Sequence, residues 1–321
     1  MKDSIINNDA EINPLVSIIV ITYNSSKYVL ETLESAKAQT YQNIELIISD
    51  DCSQDDTVAV CKEWLEENKG RFVSTELITA PENTGIPKNC NRGLHASKGE
   101  WVKPIAGDDA LYKDCVKKNI EFVTKNIDCY FCFSKQVSYR DTFDEKNRIL
   151  EENKFRIEEF YTKFSQQKIE NQLQIVARTN TLPGPATFIN RQKLIAIGGY
   201  DESYRFLEDW PTWYEWLLYG NKIYYLSEET VKYRVHGNSI TNEDRNSFYT
   251  LKSIKVKKEK FQEQHSSYEK ILLRIENAYY LYYQNKSQLS FFEKFFRRMW
   301  YFFVDISVKH SRTKINKFLS L

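Results

Sequence analysis

The stretch LVSIIVITYNSSKYVLETLESAKAQTYQNIELIISDD, residues 15–51, reads as a strand, a helix and a second strand. Its two apolar runs are rich in β-branched residues, as is typical of strands buried on both faces of a parallel sheet. Between them, Val29, Leu33 and Ala36 lie at helical spacing. The pattern repeats through FVSTELITA (72–80) and EWVKPIA (100–106). The sequence therefore predicts an α/β fold with a mainly parallel central sheet flanked by helices.

Polar residues follow each of the four predicted strands. Because the carboxyl ends of parallel strands meet at one edge of a sheet, we expect these side chains to form one site. No GxGxxG or GxxxxGK[ST] motif accompanies them, so phosphates at this acidic edge would need a divalent cation, and two hard carboxylates suit Mg²⁺ or Mn²⁺. The residues are Thr22, Tyr23 and Asn24, then Asp50 and Asp51, then Glu82 and Asn83, and finally Asp108 and Asp109.

The last of these sets stands in GEWVKPIAGDDALY, residues 99–112. The adjacent carboxylates of Asp108 and Asp109 repel each other unless a cation or water lies between them. Two interpretations are open for the pair taken alone: a solvated turn or helix cap, and a metal site. The three other polar strand ends favour the metal site.

The second half of the chain carries a second acidic pair and a histidine. A charged segment, about 141–175, is predicted to be a helical insertion. Glu208 and Asp209 precede the predicted helix WPTWYEWLLYG, where Asp209 is either an N-cap or a functional carboxylate. One or two strands are expected in KIYYLSEETVKYRV (222–235), followed by His236 in a Gly-Asn turn, where a lone histidine is either structural or a ligand.

Charge is unevenly distributed along the chain. Residues 251–321 carry 15 Lys and Arg against 6 Asp and Glu, while the other 250 residues carry 30 against 38. An acidic body argues against nucleic acid as a partner, and a basic tail is expected to meet something anionic. Cys129 and Cys132 have no second Cys or His pair to complete a zinc site, so we expect buried free thiols and a reducing, intracellular setting. The sequence predicts neither a secretory leader nor a membrane-spanning run.

Residues 245–321 are predicted to form a basic, aromatic-rich helical extension. In its last helix, Phe291, Phe295, Met299, Phe302 and Ile306 line one side, while basic residues occupy the others. Such a helix either packs on the protein body or on another copy of the chain, forming a homo-oligomer, or it lies on an anionic membrane surface through residues 288–319.

Five segments, taken in order, resemble the family 2 nucleotide-sugar glycosyltransferases, which are inverting enzymes with the GT-A fold. They are VSIIVITYN…IISDDCSQDDT (16–57), ENTGIPKNCNRGLHASKGEWVKPIAGDDALY (82–112), GGYDE (198–202), LEDW (207–210) and YRVHGNSIT (233–241). The resemblance implies a flexible N-terminus (1–13) and a GT-A domain (14–244). This domain would comprise a nucleotide-binding half (14–112) and an acceptor-binding half (113–244).

The same resemblance implies roles for individual residues. Asp209, paired with Glu208, matches the general base, and Asp108, Asp109 and His236 match residues around a Mn²⁺ or Mg²⁺ ion. Three positions depart from the family pattern, because Ala106, Cys52 and Cys90 stand where an aspartate, a glycine and an arginine are usual. The nucleotide-binding residues implied are Thr22, Tyr23, Asn24, Asp51, Asn83, Gly85, Lys88, Asn91 and Asp108.

The expected function is metal-dependent, inverting transfer of a sugar from a UDP-sugar to a hydroxyl of a glycan or lipid-linked acceptor. The expected setting is bacterial surface-polysaccharide synthesis in the cytoplasm, with the inner face of the cell membrane as the alternative if the last helix binds lipid. The alternative is a catalytically inactive subunit that binds the donor within a glycan-assembly complex. An RNA-copying polymerase, which the letters GDD also suggest, is disfavoured because it would need a basic template channel.

Overall fold

A computed structural model describes residues 13–150, 154–237, 256, 259–271, 273–274, 313–317 and 319 of the chain. The strands are β1 (Val16–Thr22), β2 (Ile44–Asp50), β3 (Thr75–Thr79), β4 (Trp101–Ala106), β5 (Ala110–Leu111), β6 (Phe131–Arg140), β7 (Thr187–Asn190) and β8 (Tyr224–Val235). The helices are α1 (Val29–Lys37), α2 (Thr57–Asn68), α3 (Ile86–Ala96), α4 (Cys115–Lys125), α5 (Lys154–Gln166), α6 (Ile169–Val176), α7 (Arg191–Ala196) and α8 (Asp209–Leu218).

The strands form a single sheet in the order β3-β2-β1-β4-β7-β6-β8-β5. The first four strands in this order are parallel, as the sequence predicts. Beyond β4, the short strand β7 runs antiparallel to both β4 and β6, and β6 and β8 pair in parallel. The sheet is therefore parallel in the half that the N-terminal repeats build, and mixed in the other half.

Helices cover both faces of the sheet, so the alternating residues of β1 and β2 enter two cores. Ile18 and Leu46 pack with α1, α2 and α4 on one face. Ile19 and Ile47 pack with α3, α6 and α8 on the other. Because both faces are covered, the centres of these strands, residues 18–21 and 46–48, are apolar without alternation.

One helix begins earlier than the sequence predicts. The segment PENTGIPKN (81–89) is typical of a loop, but helix α3 begins within it at Ile86, because Gly85 turns the chain at a φ of +94° and Pro87 fits the first helical turn. The region from 222 to 235 gives one long strand, β8. Cys129 precedes β6 and packs in the same core as Cys132, so the two thiols do not face opposite sides as strand alternation predicts. Both are buried and free.

The described parts of the C-terminal extension lie against the body of the protein. Phe261 is fully buried, and its ring lies 4.2 Å from that of Tyr214 on α8. Most of the predicted membrane-facing segment, 288–319, lies outside the described residues; within it, Ile315 and Leu319 pack against the core. None of the helices in the described ranges combines the length and apolarity that a bilayer span requires.

Candidate active site

The first wall of the site is the turn after β2, where the Asp50 carboxylate accepts hydrogen bonds from neighbouring residues of the protein. Its carboxylate accepts the Thr22 hydroxyl proton at 2.8 Å and the Ser53 backbone amide at 2.9 Å. Asp50 is fully buried, so these bonds provide the partners that a buried charge requires. Thr22, predicted to contact the nucleotide, is therefore a buried support for the turn.

Asp51 organises the loop that precedes α3. Its carboxylate accepts the backbone amides of Thr84 at 2.9 Å and of Gly85 at 2.7 Å, and the Thr84 hydroxyl at 2.6 Å. Arg92 of α3 donates to the same carboxylate at 3.2 Å and to the Thr84 hydroxyl at 3.0 Å. Asp51, the 84–85 loop and Arg92 thus form one hydrogen-bonded pocket wall at the carboxyl ends of the strands.

Tyr23 and Asn24 lie on the open side of this wall. Tyr23 is 45% exposed. Asn24, whose φ is +50°, receives the Gln54 amide on its side-chain oxygen and donates its own amide to Ser53, both at 2.8 Å. The turns after β1 and β2 are therefore joined, and Tyr23 is presented to solvent beside them.

The remaining predicted nucleotide residues divide into two groups. Lys88 is exposed on the first turns of α3, and Asn83 accepts from the Arg205 guanidinium at 2.8 Å. Asn91 is buried, and its side chain is bound to both the amide and the carbonyl of Tyr200 at 2.8 Å. This engagement corrects the expectation for Asn91: it fixes the Gly198–Glu202 loop instead of facing the nucleotide.

Asp108 and His236 meet after β4 and β8. The Asp108 carboxylate lies 3.0 Å from His236 Nε2 and keeps 32% of its side-chain surface exposed. The histidine ring is buried and lies 4.6 Å from the ring of Tyr28. The sequence predicted that these residues, 128 positions apart, would share a site, and the structure brings them together.

Asp109 points away from this pair, which corrects its expected role as a metal ligand. Its side chain is buried and accepts the Arg234 backbone amide at 2.8 Å. Burial raises the pKa of the Asp109 carboxyl well above its ordinary range, and the charge of Asp108 raises it further. Asp109 therefore joins β8 to the end of β4 from inside the protein.

Arg234 connects the segments around Asp108 by hydrogen bonds, and it was not among the residues predicted from the sequence. Its buried guanidinium donates to the Asp108 carbonyl at 2.7 Å and to the Glu31 carboxylate at 3.0 Å, and it also binds the Asp141 carbonyl. It lies 4.0 Å from the ring of Phe143. The available signal was its place in YRVHG, two residues before His236. Arg92 was missed in the same way, beside the Asn91 that was named.

Glu208 and Asp209 form the second acidic pair, at the N-terminus of α8. Asp209 accepts the Trp210 amide at 2.6 Å and lies 3.3 Å from the Asn180 side chain. Burial raises the pKa of both carboxyls, and the Asp209 charge helps to raise that of Glu208 to about 8. Near neutral pH the pair therefore holds a proton, and the helix N-terminus favours the ionised form of Asp209.

The second acidic pair and Asp51 both lie near helix α3. After burial itself, the charges of Glu208, Asp209 and Asp51 all raise the pKa of the Cys90 thiol on α3. Gly184 packs against Asp209, since a Cβ placed on it would lie 3.4 Å from the Asp209 carboxylate. The next residue, Pro185, accepts from the buried Lys103 ammonium of β4. The base candidate and the strand that leads to Asp108 are therefore braced by the same turn.

The donor set after β4 can hold a divalent cation with two protein ligands. No group of three or more His, Cys, Asp or Glu side chains suited to a metal occurs among the described residues. A carboxylate and an imidazole already in contact are nevertheless competent ligands. Mg²⁺-type ions commonly take only one or two protein ligands and complete their shell with phosphate oxygens and water. Asp108 and His236 fit that arrangement, and Asp109 does not.

A helix-covered sheet with acidic residues at its strand ends and a separate acidic pair at the start of α8 is an arrangement expected of a glycosyltransferase. The profile of the family described as Glycosyl transferase family 2 matches residues 17–185, which is more than half of the chain. The chain belongs to that family. It is 26% identical over 230 residues to TuaG of Bacillus subtilis, a glycosyltransferase whose name assigns it to teichuronic acid biosynthesis; the match covers 71% of this chain and 82% of TuaG.

Solved structures of glycosyltransferases share the fold. S. aureus TarS in complex with UDP-GlcNAc matches with a TM-score of 0.59 and 18% identity, over 83% of this chain and 71% of TarS. The mannosyltransferase PcManGT from Pyrobaculum calidifontis, in complex with GDP-Man and Mn²⁺, matches with a TM-score of 0.56 and 13% identity, over 97% of this chain and 75% of that one. The predicted GT-A fold is therefore confirmed.

Proposed function

We propose that this glycosyltransferase transfers a sugar, with inversion, from a UDP-sugar to a hydroxyl of a glycan or lipid-linked acceptor in bacterial surface-polysaccharide synthesis. The observation that carries the proposal is the position of Asp209 and of the Asp108–His236 pair, whose carboxylate is partly exposed, around a single edge of the sheet. The similarity to TuaG supports the biological setting, and the UDP-GlcNAc complex of TarS supports uridine as the nucleoside of the donor.

The donor is expected to lie along the wall formed by Asp51, the 84–85 loop and Arg92. The Asp51 carboxylate accepts hydrogen bonds from two backbone amides and from Arg92, and these bonds shape the wall. The base is expected to lie against the edge of this carboxylate. Exposed Tyr23 and Lys88 flank the wall as an aromatic face and a cation for the nucleotide. A Mn²⁺ or Mg²⁺ ion held by Asp108 and His236 would neutralise charge on the diphosphate leaving group.

Asp209 is the proposed general base. It takes the proton of the acceptor hydroxyl while that oxygen attacks the anomeric carbon and the bond to the diphosphate breaks. Glu208, whose pKa is raised to about 8, carries a proton near neutral pH, so that only one negative charge faces the acceptor. No covalent nucleophile is needed, because inversion proceeds in one displacement.

A thermal-shift screen of nucleotide sugars with and without Mn²⁺ tests the donor assignment. We expect a UDP-sugar to raise the Tm, and Mn²⁺ to increase that shift. Stabilisation by GDP- or dTDP-sugars alone would overturn the choice of uridine, and shifts indifferent to Mn²⁺ would overturn the metal role.

Transfer itself is tested with Asp209→Asn. The variant should retain the donor-induced shift and lose transfer by at least about a hundredfold, because general-base catalysis contributes that much or more. If wild-type protein binds the donor but transfers nothing to any glycan or lipid-linked acceptor, the alternative of an inactive donor-binding subunit is correct.

A further inference from the structure

A cavity of about 170 Å³ lies between the β6–β8 strand pair and α5, away from the nucleotide wall. Its lining includes Gln136, Tyr161, Tyr225 and Pro183. A cavity of roughly this size can hold one six-membered ring, as an engineered apolar cavity of about 150 Å³ holds benzene. It is suited to one ring of a ligand and not to an extended chain.

The cavity is opened by an irregularity in the strand pairing. Ser134 pairs with Leu226, Lys135 with Glu229 and Gln136 with Val231, so β8 gains extra residues twice within this short stretch. A bulge of this kind bends the strand and re-aims its side chains, and bulges are frequent beside active sites. The space is therefore built into the sheet.

Two buried polar atoms face this space without a protein partner. Across residues 13–150 and 154–237, no group hydrogen-bonds to the Tyr225 hydroxyl or to the Gln136 side-chain carbonyl. Tyr225 is only 8% exposed. Ser227 lies close to the Tyr225 hydroxyl, but it donates its own proton to the Glu158 carboxylate at 2.8 Å. A donor and an acceptor left unsatisfied at such a depth are costly unless a ligand or water meets them.

The charges around the cavity are matched. Lys135 is paired with Glu158 at 2.6 Å, and Arg148 with Glu229 at 2.7 Å. The rings of Tyr161 and Tyr225 add an aromatic wall, with centroids 5.3 Å apart. A ligand with an apolar face and several hydroxyls fits these walls, and a charged ligand would find no uncompensated partner.

The cavity is next to the proposed base. Pro183 lines it, and the adjacent Gly184 packs on Asp209. The Tyr161 hydroxyl donates to the Thr181 carbonyl at 2.8 Å, which fixes the other end of the same turn. The 180–184 turn therefore has the cavity on one side and Asp209 on the other.

We propose that this cavity binds one uncharged pyranose ring of the acceptor, with the Tyr225 hydroxyl donating to it and the Gln136 carbonyl accepting from it. The inference rests on the proposed function, since it identifies an acceptor subsite for that transfer. It makes Tyr225 and Gln136 specificity-determining residues, contributed by the strands that bulge.

Binding of methyl glycosides to the full chain tests the subsite by saturation-transfer NMR, alone and with UDP and Mn²⁺. The probes are the methyl β-glycosides of glucose, galactose and N-acetylglucosamine, with methyl β-glucuronide as the charged comparison. At least one neutral glycoside should bind more tightly than the glucuronide. Tyr225→Phe and Gln136→Met should each weaken it by about fivefold to tenfold, the effect of one buried hydrogen bond.

Tyr224→Phe is the matched control, because Tyr224 precedes Tyr225 on β8 and packs in the opposite core. It should leave glycoside binding unchanged. Tyr225→Phe should keep or raise the Tm, because its hydroxyl makes no protein hydrogen bond. Glycoside binding insensitive to Tyr225→Phe and Gln136→Met, tighter binding of the glucuronide, or no glycoside binding at all would overturn the subsite.

The same measurements separate this inference from the proposed function. The UDP-sugar shift reports on the nucleotide wall and does not involve the cavity. If both variants weaken glycoside binding but the protein transfers no sugar, the proposed transfer is wrong and the binding site is retained. If the protein transfers sugar but neither variant changes glycoside binding, the transfer is retained and the subsite is wrong.

Discussion

Adjacent carboxylates acquire different roles when only one of them remains at the surface. Asp108 keeps a third of its side chain exposed beside His236, whereas Asp109 is buried against the Arg234 amide. Asp108→Asn should remove the Mn²⁺-dependent part of the donor thermal shift, because a neutral amide is a much weaker ligand for a hard cation. The measurement is the difference in Tm shift with and without Mn²⁺.

Asp109→Asn is the matched control for that experiment. Its amide oxygen can still accept the Arg234 backbone amide, and burial already favours the uncharged carboxyl. We expect it to keep the Mn²⁺-dependent shift. Equal losses in both variants would show that both aspartates serve the metal, and an effect confined to Asp109→Asn would reverse the assignment.

Glu208 makes stability depend on pH. Its pKa is raised from an ordinary value near 4.5 to about 8 in the folded protein. The stability associated with its protonated form is thus present below pH 4.5 and is lost as pH rises towards 8. Glu208→Gln mimics the protonated form, so its free energy of unfolding should exceed that of the wild type increasingly across this window, by a few kcal/mol at most.

Urea unfolding at about pH 5 and about pH 8.5 measures the effect, because the window falls between these values. Glu121→Gln, at an exposed position of α4, should track the wild type at both pH values. If Glu208→Gln and the wild type differ in free energy of unfolding by the same amount at both pH values, the pKa of Glu208 is not raised in the folded protein.

For single residues, the sequence predicted which carboxylates lie at the same edge of the sheet but not which way each side chain points. Asp108 and Asp109 are chemically identical and adjacent, and their orientations are decided by Arg234, which lies 125 residues beyond Asp109. Asn91 was assigned to the nucleotide through the family resemblance, yet the Tyr200 backbone occupies its side chain. Such partners lie far away along the chain and leave no local signal.

Among the elements, α3 depends on a single glycine at its start. Gly85 has a φ of +94°, and a Cβ placed there would lie 2.5 Å from both the backbone oxygen and the side chain of Arg205. Gly85→Ala should therefore cost about 1–3 kcal/mol and displace the loop that Asp51 holds. We expect a lower Tm and weaker donor binding.

Gly70→Ala, at a glycine outside that loop, is the control for Gly85→Ala. A Cβ at Gly70 meets nothing within 4 Å, and Gly70 is not among the residues with positive φ. This variant should change stability by less than about 1 kcal/mol and leave donor binding intact. An unchanged Tm and unchanged donor affinity in Gly85→Ala would show that the loop tolerates a side chain.

Element prediction succeeded where periodicity is local and failed where pairing is distant. The apolar runs of β1 to β4 and the turns between them identify the parallel half of the sheet. The insertion of β7 between β4 and β6 depends on pairings such as Val102 with Ile189, which no window of sequence contains. The start of α3 was missed because Gly85 and Pro87 together are typical of loops as well as of helix N-termini.

In the whole molecule, described parts of the C-terminal extension are tied to the segment after α6 by a cluster of charges. Arg178, which follows α6, binds the Glu269 carboxylate through two nitrogens at 3.0 and 3.2 Å, and Lys314 binds the same carboxylate at 2.8 Å. Arg178 and Glu269 are each only 5% exposed. Composition predicts only that the extension is basic; the structure gives part of that charge an anionic partner within the protein.

From this cluster we predict how acid weakens the attachment of the extension to the rest of the protein. Burial alone would raise the pKa of Glu269, but the Lys314 ammonium, the Ser266 amide and the Arg178 guanidinium outweigh it and lower the pKa to about 2. The stability that Glu269 contributes is present above its ordinary pKa near 4.5 and is lost as pH falls towards 2. At neutral pH, Glu269→Gln should cost about 3 kcal/mol, because it leaves buried cations without their charge partner.

The wild type and Glu269→Gln should therefore differ in their free energy of unfolding at neutral pH and converge as pH falls from about 4.5 towards 2, because protonation then removes the same charge. Glu66→Gln breaks an exposed pair with Lys69 that has the same 2.8 Å distance, and should leave the free energy of unfolding nearly unchanged. If the two substitutions cost the same, the cluster does not hold the extension to the body. Binding of Glu269→Gln to anionic liposomes, with none by the wild type, would show that the extension must leave the body before it meets a membrane.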